Sequence, residues 1–155
     1  MTRLRSIFLL AAIAWVVGSS RASAQISLTK NTDLNFGSMV SGPSAGTVTV
    51  TITGAVSSTG GVTLVPATTA PAEFTLSNGP TGGAHIYLIQ VPSSVTITSG
   101  ANSMVVNNFD NTAPNLGIIA NSTSRSIFVG ATLNVGANQA SGLYTGTYLM
   151  MVSFL

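Results

Sequence analysis

Residues 47–53 read Thr-Val-Thr-Val-Thr-Ile-Thr, a strict alternation of polar and apolar β-branched side chains. Successive side chains of a β-strand point to opposite faces, so Val and Ile share one face and Thr the other. This pattern is typical of a strand with one face on a core and the other in water. Residues 73–77 and 95–98 alternate in the same way. The sequence therefore predicts several half-buried strands.

Further strands and turns are predicted along the rest of the chain, and no window after residue 24 has the apolar spacing of a helix. The additional strands are predicted at 26–29, 34–37, 85–91, 104–109, 126–129 and 130–135, the last continuing its predecessor beyond a bulge at Gly130. Clusters of Gly, Pro, Asn and Ser predict turns at 41–43, 57–61, 81–83, 111–115 and 138–142. The run 85–91 is apolar on both faces, which indicates a central strand. Short strands separated by turns indicate an antiparallel sandwich or barrel.

The amino-terminal segment has the layout of a secretory signal peptide. Two arginines precede the apolar run 7–17, and residues 22–24 (Ala-Ser-Ala) form a small-residue cleavage site. The run of 11 apolar residues is too short for a transmembrane helix, which needs roughly 20. We therefore predict a signal peptide over residues 1–24 and a single exported domain over residues 25–155, without an integral membrane span.

The charge of the chain is low and unevenly placed. Its formal net charge is +2 with 5% charged residues, and the predicted signal peptide holds three of the five basic residues. The remaining two basic and three acidic side chains exclude a nucleic-acid site, which needs clustered Lys and Arg. Low charge also removes a common protection against strand-to-strand association. Without cysteine, the domain must be held by its core rather than by disulfides.

The sequence contains no recognisable catalytic or metal-binding pattern. The titratable side chains of the predicted domain, tyrosines apart, are Lys30, Asp33, Glu73, His85, Asp110 and Arg125. A contact between His85 and Glu73 across paired strands is conceivable, but no nucleophile motif accompanies it. The spacing of the carboxylates supports neither glycoside hydrolysis nor a metal site. We expect no enzyme, no metal and no other cofactor.

The final segment, residues 142–155, is a glycine-punctuated strand that stays apolar to its last residue. One face carries Tyr148, Met150, Val152 and Phe154, and the other carries Leu149, Met151 and Leu155. Two-sided apolarity suits a central strand, or an edge strand that a partner covers by strand addition. The segment is therefore expected either to close its own sandwich or to border a groove for another molecule.

Four stretches together resemble a bacterial family catalogued as domain of unknown function 4402, which has no established enzymatic activity. They are residues 34–37 (Leu-Asn-Phe-Gly), 72–76, 129–139 and 142–148. The chain is also more distantly similar to the spore-coat-U-like subunits of archaic chaperone–usher pili. Those subunits share the early Leu-x-Phe-Gly and the late Gly-x-Tyr, but they usually carry cysteines, which this chain lacks.

The resemblance to pilin subunits implies an immunoglobulin-like β-sandwich, either complete or lacking its last strand. In such subunits the groove of the missing strand is filled first by a periplasmic chaperone and then by the amino-terminal strand of the next subunit. Gly142 and Phe154 occupy the places of the glycine and the penultimate aromatic residue that pilins often carry. The resemblance implies a subunit-contact strand with Gly142, Tyr148, Met150, Val152 and Phe154. Ile26 and Leu28 are either donor-strand residues or part of the domain's own first strand.

We therefore predict an exported, non-enzymatic structural or adhesive protein, located in the periplasm, at the surface or outside a Gram-negative bacterium. Its expected partners are other protein subunits, including copies of itself, and a periplasmic chaperone. An alternative is a carbohydrate-binding adhesin that uses Phe109, amid neighbouring Asn and Asp residues, as an aromatic platform. A lesser alternative is a small outer-membrane β-barrel, for which predicted strands of about five to seven residues are short against the roughly nine to eleven required.

Overall fold

The computed structural model describes residues 26–114 and 116–155. These residues form ten β-strands and no helix. The strands are β1 (Ser27–Thr32), β2 (Ser38–Val50), β3 (Val56–Val65), β4 (Ala72–Ser77), β5 (His85–Gln90), β6 (Ser94–Ser99), β7 (Asn102–Asn111), β8 (Leu116–Ile119), β9 (Ser124–Val135) and β10 (Met151–Phe154). All pairs are antiparallel, so the predicted all-β antiparallel sandwich is confirmed. The predicted signal peptide lies outside the described residues.

The strands form a larger sheet of seven and a smaller sheet of three. The smaller sheet has the order β10-β5-β8, so β5 is central, as its two-sided apolarity predicts. In the larger sheet, β9 carries β7 along one edge, and β6 pairs with β7. The other edge of β9 is shared end to end: β4 pairs with its first half and β2 with its second half. Strand β9 therefore ties the two halves of the larger sheet together.

The core consists of two clusters that meet along β9. The first lies between the sheets and includes Ile127 and Val129 from β9 with Tyr87 and Ile89 from β5. The second lies within the larger sheet alone and is formed by Val48, Val62, Met104, Val106, Ala131, Leu133 and Val135. The smaller sheet contributes nothing to the second cluster, against which loop residues such as Leu34 and Tyr144 pack instead. This uneven cover positions the site described below.

Two predicted turns, at 41–43 and 57–61, are wrong, because these residues lie inside β2 and β3. The glycines there permit close approach of the two backbones instead of chain reversal. A Cβ at Gly46 would collide with the carbonyl oxygen of Thr59, and one at Gly61 with that of Ser44. The register of the pair shifts between Ser41 and Gly46. Strands β2, β3, β7 and β9, of 10 to 13 residues, are also longer than predicted.

The bulge predicted at Gly130 lies instead on the neighbouring strand. Strand β9 runs unbroken through Gly130, as the prediction of a continued strand requires. The register shift falls between Asn107 and Asp110 of β7, where Asn108 has a φ of 49°. Asn is among the residues that best tolerate this left-handed conformation. The extra residue therefore belongs to β7 and not to β9.

Candidate functional site

A crevice of about 1150 Å³ lies beside the second core cluster. Its floor is formed by inward-facing apolar side chains of β6, β7 and β9, namely Val95, Ile97, Met104, Val106, Leu133 and Val135. Its two walls are the segments 33–41 and 138–148. The floor side chains of β7 and β9 are only 2% to 8% exposed, because Leu34, Phe36 and Tyr144 pack against them. The crevice is therefore open at its mouth and almost closed at its base.

The first wall, residues 33–41, begins in a short extended segment between β1 and β2. Asn35 forms a two-bonded backbone bridge with Ala70, with N···O distances of 2.8 and 3.0 Å. The Asn35 side-chain oxygen accepts a hydrogen bond from the Gly37 amide at 2.9 Å, and the φ of 77° at Gly37 is one that glycine adopts without strain. Local side-chain bonding of this kind favours turns over regular ladders. The bridge at Asn35 therefore anchors the wall just before β2.

The second wall, residues 138–148, has a single bridge to a neighbouring strand. Thr98 of β6 and Thr145 exchange two backbone hydrogen bonds of 2.9 and 3.0 Å. Glycines bring this wall close to β6: a Cβ at Gly146 would lie 2.8 Å from the Ile97 Cγ2, and one at Gly142 would collide with the Ser99 side chain. Gly142, which the sequence analysis singled out, therefore lets the second wall approach β6 closely.

The outer edge of β6 is largely unpaired. Strand β6 pairs with β7 along one edge, and along the other edge the described residues supply only the bridge to Thr145. In an antiparallel strand every second residue directs its N–H and C=O to the same edge. Since Thr98 bonds outward, Thr96 and Ser94 also direct their backbone groups to the outer edge. This edge borders the crevice, where Val95 and Ile97 form part of the floor.

Strand β10 is an edge strand of the smaller sheet. Among the described residues it pairs only with β5, and the Leu155 amide continues that ladder with a bond of 3.0 Å to the Ile86 carbonyl. Leu155 and Ser153 therefore bond towards β5, and Val152 and Phe154 direct their backbone groups to the free edge. Strand β10 thus closes one side of its own sandwich, as one of the predicted alternatives has it, and among the described residues its other edge is unpaired. That this edge borders a groove for another molecule stays a prediction.

The side chains of the predicted contact strand alternate as expected. Met150 is 7% exposed in the first cluster, and Val152 and Tyr148 pack against that cluster. Phe154 contacts the His85 ring edge-on, with centroids 6.4 Å apart, and stays 39% exposed. Leu149, Met151 and Leu155 face the opposite side, where they are 48% to 78% exposed. One of the two apolar faces of this segment is therefore largely uncovered.

Tyr148 stands where the second wall leads into β10. Its ring packs against Phe109 at 5.2 Å and Phe74 at 6.3 Å between centroids. Its hydroxyl is buried and has no hydrogen-bond partner among the described residues. Burial, with a smaller contribution from the Asp33 carboxylate, raises the pKa of Tyr148 to about 12. An unpaired polar group is therefore buried beside the inner end of the crevice.

This raised pKa predicts a loss of stability at alkaline pH. Between about pH 10 and pH 12 the unfolded chain loses the Tyr148 proton that the folded chain keeps, so the free energy of unfolding falls as pH rises. Urea unfolding at pH 9 to 12 is expected to show a smaller fall for Tyr148→Phe than for the wild type. At pH 7 this variant should be at least as stable, because the hydroxyl forms no bond. Parallel curves for both proteins would contradict the prediction.

Ile26 and Leu28, the predicted donor-strand residues, lie just before and within β1, which is an edge strand of the larger sheet. Strand β1 pairs with β4, with Leu28 opposite Leu76, and Ile26 packs against the first cluster. The segment therefore completes its own sheet in this structure. All six β1 residues are nonetheless exposed. The donor role stays a prediction.

The structure places Phe109, His85 and Glu73, the other residues considered for a binding or catalytic role, in a core contact and in two different sheets. Phe109 is half-buried against Tyr148 and is not the exposed platform that a sugar-binding site needs. His85 pairs with Ile119 in the smaller sheet, and Glu73 pairs with Phe128 in the larger. The His85 Nε2 atom is buried without a hydrogen-bond partner. Within the described part of the chain, no group of three or more His, Cys, Asp or Glu side chains could hold a metal.

Sequence reasoning missed the first wall and the outer edge of β6. The available signal was the strict alternation of residues 95–98, which is typical of a half-buried strand. Nothing in that pattern says which edge of a strand is paired, because pairing depends on segments distant in sequence.

These features define an all-β sandwich domain with an apolar crevice. Among the described residues β1, β3, β6, β8 and β10 each lack a ladder partner along most of one edge, and β6 and the segment that leads into β10 border the crevice. The chain belongs to the family described as Domain of unknown function (DUF4402), whose model matches residues 26–154. No curated protein and no solved structure matches the chain. In residues 26–114 and 116–155 no helix is long and apolar enough to cross a membrane.

Proposed function

We propose that this protein is an exported, non-enzymatic structural or adhesive subunit that binds its partners by β-strand addition. The observation that carries the proposal is the free edge of β10. An unpaired edge offers backbone donors and acceptors in a row, and an added strand satisfies them while its side chains pack against the exposed core. The incoming strand pairs with Val152 and Phe154.

The surroundings of this edge support strand addition. Side chains alternate without interruption from Tyr148 to Phe154, so the chain leading into β10 is extended. Thr145 bonds to β6, and it stands six residues before Met151, which bonds to β5. Residues 148–154 alternate as an extended chain does, and in such a chain residues an even number apart bond to the same edge. Among the described residues the edge opposite β5 is therefore unpaired from Tyr148 to Phe154.

The amino-terminal segment of a second copy supplies the strand in this proposal, and a periplasmic chaperone supplies one before assembly. Strand β1 is suited to exchange because all six of its residues are exposed, so little buried surface is lost when it leaves β4. Ile26 and Leu28 then provide the alternating apolar side chains of the donated strand. The low charge of the domain presents no electrostatic obstacle to pairing between copies.

A substitution at Val152 tests the free edge directly. The Val152 amide points away from β5, so Val152→Pro removes a donor from the free edge and leaves the ladder to β5 intact. A fluorescently labelled peptide of residues 25–36 is titrated into the full exported chain, and its polarisation is measured. Binding to Val152→Pro is expected to be at least about tenfold weaker than to the wild type, because a backbone bond is lost and the proline ring obstructs the edge.

Val152→Thr is the matched control, since it keeps the amide and the shape of the side chain. It is expected to bind the peptide like the wild type, and circular dichroism is expected to show the same folded β-sheet for all three proteins. The proposal would be contradicted if the peptide failed to bind the wild type at millimolar concentration, or if Val152→Pro bound it equally well.

A further inference from the structure

All three strands of the smaller sheet contribute apolar side chains to its outer face, on which Ser153 and Gln90 are the polar members. The register places Leu155, Ile86 and Ile118 in one row, and Ser153, Leu88 and Leu116 in the next. Met151 stands opposite Gln90 in a third row. We call these residues, with Leu149 just before β10, the outer face. None of them points into the core, because Tyr87, Ile89, Val152 and Phe154 occupy the inner positions of the same strands.

This face departs from the pattern of the larger sheet. An antiparallel sheet with one wet face usually alternates apolar side chains inside and polar side chains outside. Strand β2 follows that rule: its outward Thr47 and Thr49 hydroxyls bond to Thr59 and Thr132 at 2.7 and 2.9 Å. On the outer face, by contrast, Leu155 is 78% exposed and Ile118 is 67% exposed. A solvent-facing row of this kind lacks the polar groups that would favour contact with water.

The outer face also lacks charge. The five charged Lys, Arg, Asp and Glu side chains of residues 26–155 lie on other segments of the chain, none of them on β5, β8 or β10. A charged partner therefore finds no complementary group there. Two copies of this chain bring no charged Lys, Arg, Asp or Glu side chains of these strands together when their outer faces meet. The outer face is therefore better suited to contact the same face of a second copy than to bind a charged partner.

We propose that the outer face is the interface of a symmetric dimer, in which the smaller sheets of two copies pack face to face. The exposed parts of Ile86, Leu116, Ile118, Leu149, Met151 and Leu155 amount to on the order of 700 Å² per copy, close to the roughly 800 Å² that each partner buries in an interface of standard size. A patch of this extent exceeds the roughly 300–600 Å² that is ordinary for the largest apolar patch of a monomer.

A two-fold axis that passes through the outer face gives a closed dimer. The same patch serves both copies in such an interface, so association stops at two. Strand addition at the free edge of β10 uses backbone groups in the plane of the sheet, whereas the dimer uses side chains perpendicular to it. The two contacts are therefore compatible in one molecule, and the dimer does not depend on the proposed strand exchange.

Sedimentation velocity of the full exported chain over a wide concentration range tests the dimer. The wild type is expected to sediment as a dimer, and Ile118→Lys or Leu116→Lys is expected to raise the dimer dissociation constant by at least about 100-fold, because each variant places two unpaired charges in the contact. Val40→Lys is the matched control: Val40 and Leu116 are both 58% exposed, but Val40 lies on β2. It is expected to leave the dimer intact.

Three outcomes of the sedimentation and vesicle-binding measurements would overturn the dimer. They are a wild type that stays monomeric at all concentrations, equal weakening by Val40→Lys and Leu116→Lys, and an outer face that binds phosphatidylcholine vesicles as a monomer. Thermal unfolding of each variant verifies that the fold is kept. Val152→Pro separates this inference from strand addition: it is expected to lose the peptide of residues 25–36 and to keep the dimer. Loss of both by that single variant would also overturn the dimer.

Discussion

Replacing Gly130 by alanine is expected to lower the free energy of unfolding by about 3 kcal/mol, at the upper end of the usual cost of overpacking. A Cβ at this position would lie 2.5 Å from the Val50 carbonyl oxygen and 2.8 Å from the Ile52 amide nitrogen. Both are backbone atoms, which cannot rotate aside as a side chain does. Strand β2 stops pairing with β9 at this point, since their last pair is Val50 with Ala131. Strand β4 pairs with β9 from Val129 onwards. A methyl group at Gly130 therefore separates strands at the joint of the larger sheet.

Thermal and urea unfolding of Gly130→Ala measure this effect, and a fall in the midpoint temperature of about 10 °C corresponds to the expected loss for a domain of this size. Gly136→Ala is the matched control. Its Cβ would have one neighbour within 4 Å, the side-chain amide oxygen of Gln139 at 2.9 Å, which can move. The control is expected to change stability by less than about 1 kcal/mol. Equal midpoints for the two variants would show that the close approach at Gly130 has no energetic consequence.

Replacing Gly117 by alanine is expected to destabilise the smaller sheet by a similar amount, about 3 kcal/mol. A Cβ there would collide with the ring and hydroxyl of Tyr87, which is fully buried. The Tyr87 hydroxyl accepts a hydrogen bond from the Arg125 Nη1 at 2.7 Å, so the ring is held between β8 and the larger sheet. Movement of the ring away from Gly117 breaks this bond or the packing of the first core cluster.

A double-mutant cycle isolates the contact between Gly117 and Tyr87. Tyr87→Leu alone is expected to cost about 3 kcal/mol through lost burial and the lost bond to Arg125. In the Tyr87→Leu background, Gly117→Ala is expected to cost less than about 1 kcal/mol, because the smaller side chain leaves room for the methyl group. Urea unfolding of the four proteins gives the coupling energy. Strict additivity of the two substitutions would show that the collision does not occur.

The sequence predicted the class of the fold well, because side-chain alternation is a local property of a strand. The alternation at 47–53 predicts the burial of Val48 and Val50, both 0% exposed. The two-sided apolarity of 85–91 predicts the central position of β5. Both follow from the period of two that every strand imposes on its own side chains.

The turn predictions at 41–43 and 57–61 were wrong because the glycines there allow two strands to approach closely and do not reverse the chain. The same residue permits a tight turn and lets two backbones approach closely, and at 57–61 the second use holds. Gly60 has a φ of 65°, and a Cβ there would collide with the Ala45 carbonyl oxygen. The identity of that neighbour depends on the register of β2 with β3, which local sequence does not contain.

The candidate site shows the same division. Alternation in residues 148–154 was enough to place Tyr148, Met150 and Val152 on the inner side of the chain. The free edges of β6 and β10, the crevice and the exposure of the outer face were not predictable from the same residues, because each depends on which distant strand lies alongside. The period of a strand is a matter of neighbouring dihedral angles, whereas its pairing and cover are set by segments tens of residues away. The sequence of segment 142–155 therefore predicts two apolar faces. The packing of the two sheets determines that one face lies in the core and the other is exposed to solvent.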